Sequence, residues 1–181
     1  MYGMFKLSAS KNIAAKGLYR TLVRQARRPL FYSEWAVPDT PEGRYNMIMI
    51  HAFLLLHRLK RDGYATKDIS QAVFDLMFED MDKNLREMGA GDMGVVYRIK
   101  DMAKAFYGRI AAYEDGLNRD DLFLEDAIKR NVYRNSPVAH DQIVQLCNYI
   151  RREADRLAGQ STGELLNGKL IFSNPLNSVC Q

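Results

Sequence analysis

The stretch GAGDMG, Gly89 to Gly94, has the spacing G-x-G-x-x-G that can form a dinucleotide-binding turn. Just before it, FEDMDKN places Asp80, Asp82 and Asn84 at the first three ligand positions of a calcium loop. Glu79, Asp80 and Asp82, with Asp120 and Asp121 further on, are also the kind of paired carboxylates that helical enzymes use to hold magnesium on a diphosphate. Each of these chemistries demands a context. The dinucleotide turn works when a strand enters and a helix leaves, and here a long amphipathic helix enters. The calcium loop needs Gly at its sixth position and Glu at its twelfth, where this chain has Leu85 and Gly91. Helical geometry puts Asp75, Glu79, Asp82 and Arg86 on one polar face, a normal solvated arrangement.

The structural reading of these residues is simpler. Gly89 is expected to end one helix in a left-handed cap, and Asp92 to cap the next. Asp80 projects beside the apolar side of its helix, between Leu76 and Leu85, where a charge is costly unless paired. It is therefore expected to pair with an arginine of a neighbouring helix, with Arg58, Arg98 and Arg109 as candidates. His51 and His57 are six residues apart, do not share a helix face and cannot form a zinc pair by themselves. His51 lies in an apolar run and reads as a satisfied core histidine. No serine stands in a nucleophile-elbow sequence. No catalytic residue, cofactor or metal site is expected.

The elements that position these residues are helical almost throughout. The first candidate helix covers 11–27, with Leu18, Tyr19, Leu22 and Ala26 on one side and Lys16, Arg20, Arg24, Arg27 and Arg28 on the other. Ile13 falls on the wrong side, and Pro29 stops the helix. Thr40 and Pro41 read as N-cap and first residue of a second helix running to about Arg61. That helix is apolar on nearly every side, as a central helix is. Further helices are expected over 67–88, 93–117, about 121–134 and from Ser136 and Pro137 to Gly159. A capping box of Ser161 and Glu164 should open a last one. The fold class is all-α: one bundle-like domain of about six or seven helices. Residues 1–30 would form a basic amphipathic helix, a satellite of the body at 31–170, and 171–181 a loose tail.

Composition is consistent with this picture. Of 181 residues, 47% are hydrophobic and 27% charged, values ordinary for a folded domain. Two distant cysteines, Cys147 and Cys180, offer neither a disulfide framework nor a zinc site, which makes a reducing compartment the default. The longest apolar run, Met47 to Leu56, is too short to span a bilayer, which takes roughly 20 residues. Charge is unevenly placed. Residues 1–61 carry 11 Lys/Arg against 3 Asp/Glu, while the remainder carries 15 against 19. A basic end on a mildly acidic body suggests an anionic partner for that end: RNA, a ribosome or a membrane surface.

The segments LYRTLVRQARRPLFY, VPDTPEGRYNMIMIHAFLLLHRLKR, FDLMFEDMDKNLREMGAGDMGVVYRIKDMAKAFYGRIAAYEDGL and LEDAIKRNVYRN follow one another in this chain. Together they resemble the ubiquinol–cytochrome c chaperone family over about residues 18–157. The resemblance implies a non-enzymatic assembly factor for respiratory complex III, acting on cytochrome b and having no cofactor or catalytic residue. In mitochondria the family is associated with the ribosome that makes cytochrome b and with a small helical partner protein. The compact form looks like the alphaproteobacterial version. That implies a bacterial cytoplasmic location peripheral to the inner membrane, with the matrix side of the mitochondrial inner membrane as the alternative. LYRTLVRQARRPLFY matches the family's domain, so it is read as part of the fold and not as a leader.

On this reading, Lys16, Arg20, Arg24, Arg27 and Arg28 are the expected docking residues, toward a ribosome or anionic lipid. Met77, Met81, Met88, Met93 and Met102 cluster around the turn between the third and fourth helices. Methionine suits adaptable apolar binding surfaces, so these five are candidate client contacts, with core packing as the competing reading.

Overall fold

The protein is described by a computed structural model over residues 9–89, 91–134 and 136–175. Among these residues there is no strand. The helices are α1 (Ala9–Ala26), α2 (Leu30–Ser33), α3 (Pro41–Lys60), α4 (Lys67–Glu87), α5 (Asp92–Asn118), α6 (Asp121–Val132), α7 (His140–Ala158) and α8 (Thr162–Leu166), with a 3₁₀ turn at Gly63–Thr66. Ala90, one residue of the GAGDMG stretch, lies outside the described residues, as do residues 1–8 and 176–181 with Cys180.

α3 is the axis of the fold. Every residue from Met47 to Leu55 is buried, because the helix packs against α1, α4, α5, α6 and α7. Its start is set locally: the Thr40 side chain accepts from the Gly43 N–H at 3.1 Å, and Pro41 stands in the first turn. Fully burying one such Leu or Ile side chain stabilises by roughly 1.5–3 kcal/mol.

α1 is not a satellite. Ala15, Leu18, Leu22 and Ala26 are wholly buried against α3 and α4, while Ile13 is 72% exposed on the other side. Four small or medium side chains give a weak hydrophobic signal, yet they suffice because they meet the middle of the core.

Gly89 takes a φ of +86° and ends α4 in the left-handed conformation that glycine adopts without strain. α5 then begins with Gly91 as its N-cap. Asp92 is the first helical residue and pairs with Arg86 of α4, so it braces the turn across its two ends. α5 and α6 form a tight hairpin at Gly116, where an added Cβ would lie 2.8 Å from Leu124 Cα. α7 starts at His140, later than the Ser-Pro signal suggested, and the Gln142 side chain accepts from the Ala139 N–H at 3.1 Å. At α8, Ser161 is the N-cap but its side chain makes no capping bond, so the capping box read from Ser161 and Glu164 is not formed.

Residues 171–175, read from the sequence as the start of a loose tail, are seated on the core. Gln25 Nε2 donates to the Ser173 carbonyl at 2.8 Å, the Ser173 N–H donates to Glu153 Oε2 at 3.0 Å, and the Ser173 hydroxyl bonds Glu153 as well. Phe172 meets the His51 ring edge-on at 5.1 Å between centroids.

Candidate functional site

α1, α3, α4 and α5 surround an open groove of about 610 Å³. Its floor is apolar: Tyr45 and Ile48 from α3, Met81, Leu85 and Met88 from the second half of α4 and its end, and Met102 and Ala105 from α5. Its rim is charged, with Arg27, Arg44 and Arg109 facing Glu42, Asp80 and Asp101. The local sequence explains the shape. The residues flanking the turn between α4 and α5, Met88 and Met93, are 65% and 71% exposed, so neither side chain is packed between the two helices there.

Three of the five expected methionines line this groove. Met81 is buried at its base, Met102 is half-buried and Met88 is exposed at its mouth. Met77 is wholly buried in the core, so direct client contact is not open to it in this fold. Met93 is exposed on α5 but does not line the groove.

The expected ion pair of Asp80 is replaced by a different bond. The Tyr19 hydroxyl of α1 donates to Asp80 Oδ2 at 2.8 Å, and among the described residues no cation lies within ion-pair distance of this carboxylate. Arg58 instead pairs with Asp62 at 2.5 Å. Arg98 is exposed. Arg109 donates to Asn46 Oδ1 at 2.5 Å and to Met49 Sδ at 3.1 Å, so it lines the groove without touching Asp80. The physical reason is geometric: the apolar face of α1 brings a tyrosine across α4, and a phenol is long enough to meet the half-buried carboxylate. Burial first, and then the bond to Asp80, push the Tyr19 phenol well above its ordinary range, so it stays a donor.

Tyr45 completes the floor. Its hydroxyl is buried and has no hydrogen-bond partner among the described residues, and burial raises its pKa. A buried hydroxyl left unpaired typically costs about 1–3 kcal/mol. The groove thus holds an apolar floor with one buried hydroxyl left unpaired among the described residues. Neither Tyr19 nor Tyr45 is a candidate by sequence reasoning. The available signal was weak: a phenol at the edge of one apolar stripe and an aspartate at the edge of another.

The basic residues lie as a stripe on α1. Lys16, Arg20, Arg24 and Arg27 are exposed, Arg28 is half-buried just past the helix, and among the described residues none of the five forms an ion pair. Arg27 reaches the groove rim. Arg24 and Arg28 border a separate cavity of about 390 Å³ with Leu170, Ile171 and Phe172.

The residues with catalytic potential are otherwise occupied. His51 is buried, with Nδ1 bonded to the Met47 carbonyl at 2.7 Å and Nε2 to the Tyr149 hydroxyl at 2.8 Å. Gln25 Nε2 donates to the same hydroxyl at 3.0 Å, so the hydroxyl proton points to His51 Nε2 and the histidine proton to Met47. Burial pulls the His51 pKa down to about 4, offset in part by the Met47 bond, and the imidazole is neutral. Burial pushes the Cys147 thiol up to about 12, which leaves it an inert core residue. Of the paired carboxylates, Asp82 is held by Arg86 at 2.6 Å, Asp120 caps α6 through the Leu122 N–H, and Asp121 lies 3.0 Å from Arg151. Among the described residues, no group of three or more His, Cys, Asp or Glu side chains converges as metal ligands would. No described helix is long and apolar enough to cross a membrane.

This arrangement has known relatives. The family model for the ubiquinol-cytochrome C chaperone matches residues 33–172, from the end of α2 through the seated C-terminal segment. The ubiquinol-cytochrome-c reductase complex assembly factor 1 of Xenopus laevis is 26% identical over 163 residues, covering 88% of this chain and 80% of that protein. Its Homo sapiens counterpart is 26% identical over 180 residues, covering 96% of this chain and 60% of that protein. The chain therefore spans well under two thirds of the human relative's length. The crystal structure of the Cbp3 homolog from Brucella abortus shares the fold with a TM-score of 0.84 at 35% identity, over 92% of each chain. The all-α fold shared with that structure and the family model's match over most of the chain agree, and the chain belongs to the ubiquinol–cytochrome c chaperone family.

Proposed function

We propose that this protein is a non-enzymatic assembly chaperone for respiratory complex III, and that it holds an apolar segment of newly made cytochrome b in the groove between α1, α3, α4 and α5. The observation that carries the reading is the family match over residues 33–172, whose relatives are named as assembly factors of the ubiquinol–cytochrome c reductase complex. The groove supplies a physical means. Cytochrome b exposes long apolar helices as it is made, and such surfaces aggregate in water. An amphipathic or apolar helix lies in a groove through anchors at helical spacing, and methionines let the floor adapt to it. Met81, Met88 and Met102 have that character.

Docking is assigned to the α1 stripe of Lys16, Arg20, Arg24, Arg27 and Arg28, toward a ribosome or the anionic inner face of a bacterial membrane. Each cation near such a surface contributes about 1 kcal/mol, so five localise the protein without insertion. The 35% identity to the Brucella relative supports a bacterial setting; the mitochondrial matrix is the alternative, and there a small helical partner protein joins the reading.

The test is site-specific photo-crosslinking from position 88 at the groove mouth and from position 123 on exposed Phe123, outside the groove, in cells making complex III. Crosslinks to cytochrome b from position 88 and not from position 123 are expected. The reverse pattern, or no crosslink to cytochrome b, contradicts the placement.

A further inference from the structure

α4 and α5 each turn one face to solvent, and the two faces are unlike. On α5, Met93, Val96, Tyr97, Lys100, Lys104 and Tyr107 recur at helical spacing without an acid among them. All six are exposed, the two tyrosines 62% each. The solvent face of a helix is ordinarily polar, so four apolar or aromatic side chains in one such stripe mark an interaction surface. On α4, the outward stripe is Gln71, Asp75, Glu79 and Asp82. Asp75 accepts from Gln71 at 2.8 Å, and Asp82 pairs with Arg86. Among the described residues, Glu79, Lys100 and Lys104 form no ion pair.

An aromatic seam joins the two helices and fixes their levels. Half-buried Phe74 and Phe78 of α4 meet Phe106 of α5 at 5.5 and 6.1 Å between centroids, and Phe74 meets Tyr107 at 5.7 Å. The helices are joined again at the Gly89 turn, so they run in opposite senses away from it. Lys104 therefore stands about level with Asp75 and Glu79, and Lys100, a turn nearer Gly89, about level with Glu79 and Asp82. A basic and an acidic stripe thus lie side by side, in register, with aromatic rings between them.

That pattern is complementary to itself. In an isologous dimer the same patch serves both copies. A two-fold axis parallel to the helices lays α5 of one copy on α4 of the other without changing level. Lys104 and Lys100 then face the partner's Asp75 and the partner's Glu79, and the two tyrosines cover the partner's aromatic seam. An axis across the helices would set lysine on lysine, an arrangement that costs free energy. A patch about 25 Å long and two helices wide, about 20 Å, covers about 500 Å² on each copy. That area is near the lower limit for a specific complex and fits a Kd in the micromolar range.

We propose that this face of α4 and α5 joins two copies of the chain in a two-fold dimer, held by the apolar seam and by reciprocal lysine–carboxylate pairs. None of its residues lines the groove of α1, α3, α4 and α5, and the dimer does not depend on the chaperone reading.

The test is sedimentation velocity of the full chain from about 1 to about 200 µM, a range that brackets the expected Kd. A shift from monomer to dimer with concentration is expected. Two variants decide its cause: Lys100→Glu with Lys104→Glu, and separately Asp75→Lys with Glu79→Lys. All four positions are exposed, so each variant should keep its helical fold. Each should raise Kd at least about tenfold, because like charges then meet across the axis. An equimolar mixture of the two variants should dimerise at least as tightly as the unaltered chain, since both reciprocal contacts are again between opposite charges. A chain that stays monomeric overturns the proposal, as does a dimer that neither reversal weakens or that the mixture fails to restore. Vesicles of phosphatidylcholine with phosphatidylglycerol supply the rival outcome. A monomer that sediments with them only when Lys100 and Lys104 are intact gives the face to a membrane and overturns the dimer.

Discussion

The two sides of α3 follow opposite rules. Toward α7 and the C-terminal segment, Phe31, Trp35, His51, Tyr149 and Phe172 meet at ring-centroid distances of 5.1–5.7 Å. The polar atoms threaded through them form one chain of bonds, from Gln25 through Tyr149 and His51 to the Met47 carbonyl. Toward α4 and α5, the same helix borders an open groove floored by methionines, where the Tyr45 hydroxyl has no partner among the described residues. A satisfied network in a closed aromatic core fixes one conformation. An open floor of flexible thioethers keeps several available. The difference separates two tasks: the first side holds the fold, and the second is where the proposed function puts the client.

Mutations should separate the two sides. The largest effect is expected from Phe31→Ala on the closed side, where a wholly buried ring contacts three others; about 3–5 kcal/mol of stability should be lost in chemical denaturation. A loss under 1 kcal/mol would mean that this core is far more plastic than its packing implies.

Next in size is a pH effect of the same core. His51 has its pKa lowered from 6.5 to about 4 in the folded state. Between those values the unfolded chain binds more protons than the native one, so stability rises with pH there. Stability from this group is full above about pH 6.5, falls as pH drops through that window and is lost by about pH 4, a total of about 3 kcal/mol. His51→Gln should flatten the slope of stability against pH in that window. An unchanged slope would assign the acid sensitivity to other groups.

A smaller effect is expected at the boundary between the regions. Tyr19→Phe removes the bond to Asp80 across α1 and α4, and should cost about 0.5–1.5 kcal/mol. The same variant sharpens the account of the site, because it frees a half-buried carboxylate at the groove rim. Equal stability of the two chains would show that water replaces the phenol without cost.

The smallest stability change is expected in the groove itself. Met88→Ser, at a position 65% exposed, should shift stability by less than about 0.5 kcal/mol while reducing capture of an apolar client helix. A large loss of stability would place Met88 in the fold, and unchanged capture would remove it from the site.

Much of this division was written locally in the sequence and some was not. The Thr40–Pro41 start of α3 and the glycine-ended α4 were legible because caps and left-handed turns are decided by adjacent residues. The burial of α3 was legible because it is apolar all round. The docking of α1 was not, because its buried face is short and half made of alanine. Nor was the partner of Asp80. Charge logic asked for an arginine, and only the crossing of α1 over α4 puts a tyrosine there. The seating of Ser173 on Glu153 was equally hidden, since a glutamate within an amphipathic helix gives no sign that a segment 20 residues on will bury it. The five methionines are spread by the fold, Met77 and Met81 buried and Met88 and Met93 exposed, a division that depends on tertiary packing and not on their spacing.

The most direct measurement of the central claim is the reduced-minus-oxidised spectrum, with quinol–cytochrome c reductase activity, of membranes from cells lacking this gene and from the same cells given back the original or the Met88→Ser, Met102→Ser chain. The account predicts loss of the cytochrome b signal and of complex III activity with oxidases intact, restored by the original and not by an equally abundant groove variant. An unchanged spectrum and activity in cells without the gene would contradict it.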